Sequence, residues 1–330
     1  MPNITRSNAE VLINEQVSRE IIQDVITNSV ALRLGTKMPN MTSKQLKIPV
    51  LTGSVSANFI NGDTGLKPTS KMTWDKVNIV AEELAVIVPI PEAVLDDADY
   101  DIFGEVRPRI AEAFGLAIDA AVFHGTNKPD SWPDGLVPGA IAAGKVKAIT
   151  GDLYQDINGE SGVIALVEES GVAVNSYVGA LQLRAKLRGA VDANKQPIFR
   201  MAYSNGNAGS MVYELNGTQI AFPENGSLKG EDALLLAGNF KYMRYAIRQD
   251  ITYKILDQAS ITDETGKVIL NLAQQDCVAL RAVMRLGWAL PKPVNIISGN
   301  DYFPFAVLTP DAGAAAANVD EGGESQQPTE

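Results

Sequence analysis

The segment closest to a chemical signature is Gly139-Ala-Ile-Ala-Ala-Gly144-Lys145-Val146. Its spacing matches the phosphate-binding GxxxxGK loop, in which backbone N–H groups of a glycine-rich turn cradle phosphate and the lysine reaches its outer oxygens. Magnesium in such a loop is held by a Ser or Thr after the lysine, and Val146 offers no oxygen. No clear buried strand precedes the segment and no good helix follows it, so the competing reading is a Gly/Ala-rich crossing between two domains. His124, the single histidine, follows an apolar helix face and directly precedes Gly125. A histidine there bonds a helix-end carbonyl or acts as a general base, for which no partner is near in sequence. Glu82 and Glu83 are adjacent in a strand-like run, so they face opposite ways and make no catalytic pair by themselves. Cys277 opens an apolar strand and reads as a small buried hydrophobe. Neither GxSxG nor HExxH occurs. With one Cys and one His, an intrachain disulfide is impossible and the usual zinc sets lack ligands. No acid spacing resembles a calcium loop. The chain reads as a non-enzyme without cofactor or metal, whose work is done by surfaces.

The totals agree with that reading. The chain has 330 residues, 45% hydrophobic and 20% charged, enough for two or three domain-sized units. Net charge is −11, and the five acids after Leu308, with no Lys or Arg among them, leave −6 for the rest. Nucleic-acid phosphates are attracted by Lys and Arg, so bulk charge does not draw this chain to DNA. The N-terminus is too polar for a signal peptide, and the longest apolar run, Leu84–Pro91, is too short to span a bilayer. A cytoplasmic product without membrane contact is expected.

The elements that must position these residues follow from periodicity. The dominant one runs from Tyr100 to Gly125: Phe103, Val106, Ile110, Phe114, Ile118 and Val122 form one helical stripe, with Ala113, Ala117 and Ala121 on the same side. Asp99 and Asp101 are cap candidates, Gly125 is the stop, and Pro108 sits in a late first turn or kinks the helix. Before it, Ala9 to Val30 reads as an amphipathic helix with rows Val17, Ile21, Val25 and Ile22, Ile26, Val30, docked on its own core or on a neighbouring subunit. Lys47–Leu51, an edge strand by its Pro49, and a run from Met72 to Ile90 frame a Gly/Ser/Asn/Thr-rich loop of about twenty residues, tipped by Asn61-Gly62-Asp63-Thr64-Gly65. Such a loop is a contact device more often than a core element. Residues 136–150 read as a short strand with loops. From Gly151 to Asn239 the pattern is α+β: a helix ending near Gly171, a strand at Val172–Val178, a basic helix at Gly179–Ala190, a hairpin on Asn216-Gly217 and a buried strand at Asp232–Gly238. In the basic helix Arg184, Lys186 and Arg188 mark a solvated face or a subunit contact. Tyr245–Tyr253 and Asp276–Trp288 alternate as strands, and Pro291, Pro293 and Val294–Ile297 close the folded part. The acidic stretch beyond should be disordered.

This order of parts resembles the tailed-bacteriophage major capsid protein family, the Hong Kong 97 fold. The resemblance rests on Ile87-Val-Pro-Ile-Pro-Glu-Ala-Val-Leu95 leading into the helix, Arg109-Ile-Ala-Glu-Ala-Phe114 and Ile118-Asp-Ala-Ala-Val-Phe-His-Gly125 along it, and Gly238-Asn239-Phe240 before the late strands, and it covers roughly residues 10–300. It implies an α+β capsid fold with an N-terminal arm (1–45), an extended hairpin loop (46–80), a peripheral domain with the long spine helix (81–144), a mixed α/β axial domain (145–241), peripheral-domain strands (242–290), a return to the axial domain (291–308) and an acidic tail (309–330). Strands at 76–91, 242–257 and 276–290 would form the peripheral β-sheet. Members assemble as pentamers and hexamers into an icosahedral shell enclosing double-stranded DNA, in virions assembled in the bacterial host cytoplasm. The implied partners are further copies of the chain, a separate scaffolding protein, a portal protein, a decoration protein, and packaged DNA without sequence-specific binding. Candidate subunit contacts are Val17, Ile21, Val25, Phe59, Asn61, Gly62, Lys67, Lys71, Arg184 and Arg188. Some relatives cross-link subunits through Lys and Asn; Lys67 and Lys71 lie in the right loop, but no partner or helper acid is identifiable and no cross-link is expected. Encapsulin shells share the fold and are the rival within the structural class; a phosphate-binding enzyme using Lys145 is the rival outside it.

Overall fold

The structure, a computed structural model, describes residues 28–59, 69–97, 102–191, 194–203, 211–262 and 265–310. Val17, Ile21 and Val25, the loop tip with Asn61, Gly62 and Lys67, the cap candidates Asp99 and Asp101, and the stretch beyond Pro310 lie outside these residues.

The described chain opens on a short helix, α1 (Val30–Leu34), where the periodicity had placed the end of a longer one. Ser29 is extended (φ −93°, ψ 118°) and accepts the Leu32 N–H, so it caps a separate helix. Gly35 stops α1, and β1 (Thr36–Lys37) follows. The next pair, β2 (Gln45–Gly53) and β3 (Thr73–Val80), is an antiparallel two-stranded ladder that joins no larger sheet. Pro49 is tolerated because one side of β2 has no strand to receive an N–H. Residues 76–80, expected in the peripheral sheet, belong to this ladder instead. β4 (Glu82–Pro91) and a short α2 (Glu92–Asp97) lead to the spine helix α3 (Ile102–Phe123). At ~1.5 Å per residue α3 is about 33 Å long. Pro108 lies inside α3 beyond its first turn, and Gly125 ends it in the left-handed region (φ +72°). The buried side holds Ile110, Ala111, Phe114, Gly115, Ile118, Asp119, Ala121 and Val122. Ala113 and Ala117, expected on that side, are exposed. The apolar face is therefore rotated toward Ala111, Gly115 and Asp119, which pack beneath α1.

Residues 136–150, expected to hold only a strand, contain α4 (Leu136–Ala142) before β5 (Val146–Ala148). Pro138 falls in the first turn of α4, where a missing N–H costs no hydrogen bond. The mixed region continues with α5 (Leu153–Asn158), α6 (Val163–Glu168), β6 (Ser176–Gly179), α7 (Leu181–Arg188), β7 (Phe199–Tyr203), β8 (Met211–Leu215), β9 (Thr218–Ala221) and β10 (Leu235–Gly238). Asn216 and Gly217 both have positive φ (53° and 75°), the two-residue turn their types favour. The strand expected at Val172–Val178 forms only from Ser176. The final elements are β11 (Arg244–Leu256), β12 (Ser260–Thr262), β13 (Val268–Asn271), β14 (Cys277–Ala289) and β15 (Phe305–Thr309).

Two sheets organise the body. The four-stranded one has the order β1-β11-β14-β4, and the seven-stranded one β5-β15-β10-β6-β9-β8-β7. The largest core packs α3 and α4 on Leu280, Ala282, Met284, Leu286 and Trp288 of the first sheet and runs on to Val178, Leu236, Phe305 and Val307 of the second. The opposite face of the second sheet supplies Leu235, Ala237, Ala306 and Leu308 to a separate core under α5, α6 and α7. Alternate residues of β10 and β15 thus serve different cores, and all nine are buried. The folded part does not close at Val294–Ile297 as expected: β15 lies further on, while Ile296 and Ile297 are 96% and 73% exposed. A third small core, with Ile48, Val50, Ile79, Ala246 and Ala289, seats the base of the β2–β3 ladder on the four-stranded sheet. Gly287 permits this seat, because any side chain there would strike the Val80 carbonyl.

Candidate assembly surfaces

The β2–β3 ladder, although Ile48, Val50 and Ile79 are buried, also holds apolar side chains in solvent. Trp74 is 61% exposed opposite Leu51, and Val55, Phe59 and Met72 are exposed beyond the ladder. Lys71 is exposed at the same end. The ladder itself does not cover these large apolar side chains, which leaves an exposed apolar patch. Of its members the sequence reading named Phe59 and Lys71. It missed Trp74, an aromatic in a strand with only one neighbour, and Met72 just before that strand. The loop end of the ladder is tied to the body by Val294 N–H donating to the Leu51 carbonyl (2.8 Å) and Asn300 Nδ2 donating to the Thr52 carbonyl (3.0 Å).

Arg184 and Arg188, paired in the sequence reading, separate in the structure. The Arg184 guanidinium lies over the Tyr213 ring, 4.3 Å from its centroid, and donates to the Tyr213 hydroxyl. That ring stacks on Phe199, so Arg184 is engaged against the seven-stranded sheet of its own subunit. Arg188 and Lys186 stay exposed on the outer side of α7, whose Leu183 and Leu187 are buried.

The phosphate-loop match takes the opposite polarity to a phosphate site. Gly139 lies in α4 against the Phe303 ring, and Gly144 has φ +68° just after the helix ends. A phosphate at Gly144–Lys145 would meet the carbonyl end of a helix, where the dipole repels anions. Lys145 itself pairs with Glu169 at 3.5 Å. The segment is a helix stop.

His124 bonds no helix-end carbonyl. Its Nε2 accepts the Lys229 N–H at 3.2 Å, and Nδ1 stands 3.6 Å from an Asp232 carboxylate oxygen. Burial holds its pKa below the usual histidine value, against the pull of Asp232. It joins the end of α3 to the turn before β10. Glu82 and Glu83 do face opposite ways: Glu82 takes Ser131 Oγ (2.8 Å) and Lys44 (3.6 Å), Glu83 takes Arg285 (2.6 Å). Cys277 is half-buried, not fully buried, at the mouth of β14, and its thiol contacts the Gln275 carbonyl. Among the described residues no three His, Cys, Asp or Glu side chains converge as a metal set, and no helix is long and apolar enough to cross a membrane.

Asp119 is the polar residue that sequence reasoning passed over. It is fully buried on α3. One oxygen accepts the Ser29 hydroxyl (2.6 Å) and Ala31 N–H (3.0 Å); the other accepts Val30 N–H (2.9 Å) and more distant Asn225 and Ser227 donors, both at 3.4 Å. Burial raises its pKa, and the donors from Ser29, Ala31, Val30 and Asn225 oppose that rise. No sequence pattern marks it, because its donors come from segments about ninety residues before it and about a hundred after it.

A model of the phage capsid family matches residues 9–301. The major capsid protein of Staphylococcus phage 80alpha is 31% identical over 281 residues, which cover 83% of this chain and 80% of that protein. Among solved structures, a chain from Microbacterium phage Oxtober96 is 37% identical with a TM-score of 0.71, covering 94% of this chain and 100% of that one. A chain from Mycobacterium phage Adephagia is 30% identical at the same TM-score, covering 94% and 99%. The arrangement of spine helix, projecting ladder and two sheets is that of the Hong Kong 97-like capsid fold, and the chain belongs to the phage capsid family.

Proposed function

We propose that the chain is the major shell subunit of a tailed phage, assembling as pentamers and hexamers into an icosahedral capsid around double-stranded DNA. The observation that carries this reading is the β2–β3 ladder, which holds Trp74, Met72, Val55 and Phe59 exposed on a projection seated firmly at its base. Covering that apolar surface with a neighbouring copy gives each contact area without exposing the body's own core. In this reading residues 1–45 are an arm fastened to the body by α1 and β1, 46–80 the reaching loop, 81–144 and 242–290 the peripheral domain, and 145–241 with 291–309 the axial domain; the tail expected from 309 starts later, because Thr309 is buried in β15. The shell forms in the host cytoplasm on a separate scaffolding protein and incorporates a portal. The net charge of −6 before the tail's acids lets packed DNA move against it without sequence-specific binding. The subunit has no enzymatic role and makes no covalent cross-link; assembled particles would run as monomers on a denaturing gel.

Negative-stain electron microscopy with size-exclusion chromatography, on the chain alone and co-expressed with a scaffolding protein, tests the reading. Rings of five or six, or closed particles, are expected. A monomer under both conditions would overturn it.

A further inference from the structure

Two carboxylates are buried in the described chain, Asp119 and Asp156, and they are held differently. Asp156 takes the N–H and hydroxyl of Thr150, six residues away, and staples one local turn. Asp119 gathers three segments that are far apart in sequence: the entry to α1, the spine helix that carries it, and the turn at 225–227.

The entry side is close-packed. Asn28 passes so near Gly115 that a side chain there would stand 3.2 Å from the Asn28 Cβ and carbonyl carbon. Ser29 breaks the helical path, and its hydroxyl is used twice, donating to Asp119 and accepting the Leu32 N–H. The turn side is lighter. Asn225 Nδ2 donates to Asp119 (3.4 Å) and to the Asn28 carbonyl (3.5 Å), while its Oδ1 accepts the Ser227 N–H (3.0 Å). Gly226 makes that turn at φ +73°. The same segment grips α3 again, through the Lys229 N–H on His124.

We propose that Asp119 is a clasp that fixes the entry to α1 at Asn28–Ala31 and couples it to the turn at 225–227. A buried carboxylate stripped of donors is costly, so its donors hold or release together. One oxygen is shared by Val30 from the entry and by Asn225 and Ser227 from the turn, and Asn225 also touches Asn28 directly. The short bonds (2.6–3.0 Å) lie on the entry side and the long ones (3.4–3.5 Å) on the turn side, so the turn is the side that opens first. Coupling of this kind is reciprocal: whatever loosens the turn must loosen the entry, and the reverse. The inference concerns the single subunit and stands whether or not copies assemble.

Amide hydrogen exchange on the full-length subunit tests it. Asn225→Ala removes an exposed side chain and no core contact; it is expected to speed exchange at Val30 and Ala31 about threefold, although neither residue is altered. Ser29→Ala is expected to speed exchange at Ser227 by a similar factor, and Asp119→Asn to accelerate both segments about tenfold or more. Ala282 and Met284 in the central sheet serve as reference amides and should not change. The proposal is overturned if each substitution affects only its own segment. It is equally overturned if exchange rises uniformly, reference amides included, since the change would then be global unfolding.

Discussion

Trp74→Ala separates the stability of the subunit from its capacity to assemble. Trp74 is 61% exposed and pairs across the ladder only with Leu51. Within the subunit the substitution forfeits one cross-strand contact, about 0.2–1 kcal/mol. In an assembly that covers the ring the loss is larger. A buried Trp contributes up to ~250 Å², and the exposed share here is about 150 Å², worth up to ~4 kcal/mol at ~25 cal/mol per Å². Half-coverage still leaves about 2 kcal/mol per subunit, roughly a thirtyfold rise in the concentration needed for assembly. Thermal unfolding of the unassembled subunit, beside light scattering across a concentration series, measures both quantities. The expected result is a melting temperature within a few degrees of the parent and a sharply higher assembly threshold. An unchanged threshold, or a large fall in melting temperature, would refute the argument that this ring is reserved for a neighbour.

Three further outcomes are expected. Deleting Ser54–Lys71 should leave a cooperatively melting subunit that forms no shells, because Ile48, Val50 and Ile79 anchor the ladder from below; calorimetry showing loss of the folding transition would count against it. A chain ending at Pro310 should fold and assemble, whereas one ending at Pro304 should fail to fold, since it lacks the five buried residues of β15; circular dichroism and microscopy distinguish the two. His124 is held below its ordinary pKa by burial, so the unfolded chain binds the extra proton first. Its contribution to stability is therefore complete above about pH 6.5 and declines as pH falls through the lowered native value. His124→Gln should flatten that part of a stability–pH curve measured by denaturant titration, and an unchanged slope would show that the histidine titrates freely.

What could be read from the sequence was what repeats. The stripe on α3 and the alternation on β14 are long enough to declare their periods, and the order of hairpin, spine and late strands carried the resemblance to phage capsids. The misses have local causes. In α4, Pro138-Gly139 looks like a breaker until its position in the first turn is known. β15 is apolar on both faces, has no alternation and is only five residues long, so no pattern distinguishes it from a loop. On α3, a burial face inferred from large side chains put Ala113 and Ala117 inside and left out Gly115 and Asp119. The face actually turns toward α1, which needs a small residue and an acceptor. Arg184 was legible as a surface cation but not as a lid over Tyr213, a ring reached only through the fold.

The placement of β15 also sets a timetable. It lies between β10 and β5, antiparallel to the first and parallel to the second, and β5 was made about 160 residues earlier. During synthesis the chain emerges from its N-terminal end, so Val146–Ala148 and Leu235–Gly238 wait with no strand between them until β15 is made. Their pairing through β15 closes one of the longest loops in the molecule, a step that non-local topology makes late. The surfaces that depend on both sheets being complete therefore mature only after β15 has been made. A nascent chain cannot present them early, and premature joining of half-made copies is discouraged by the order of the strands alone.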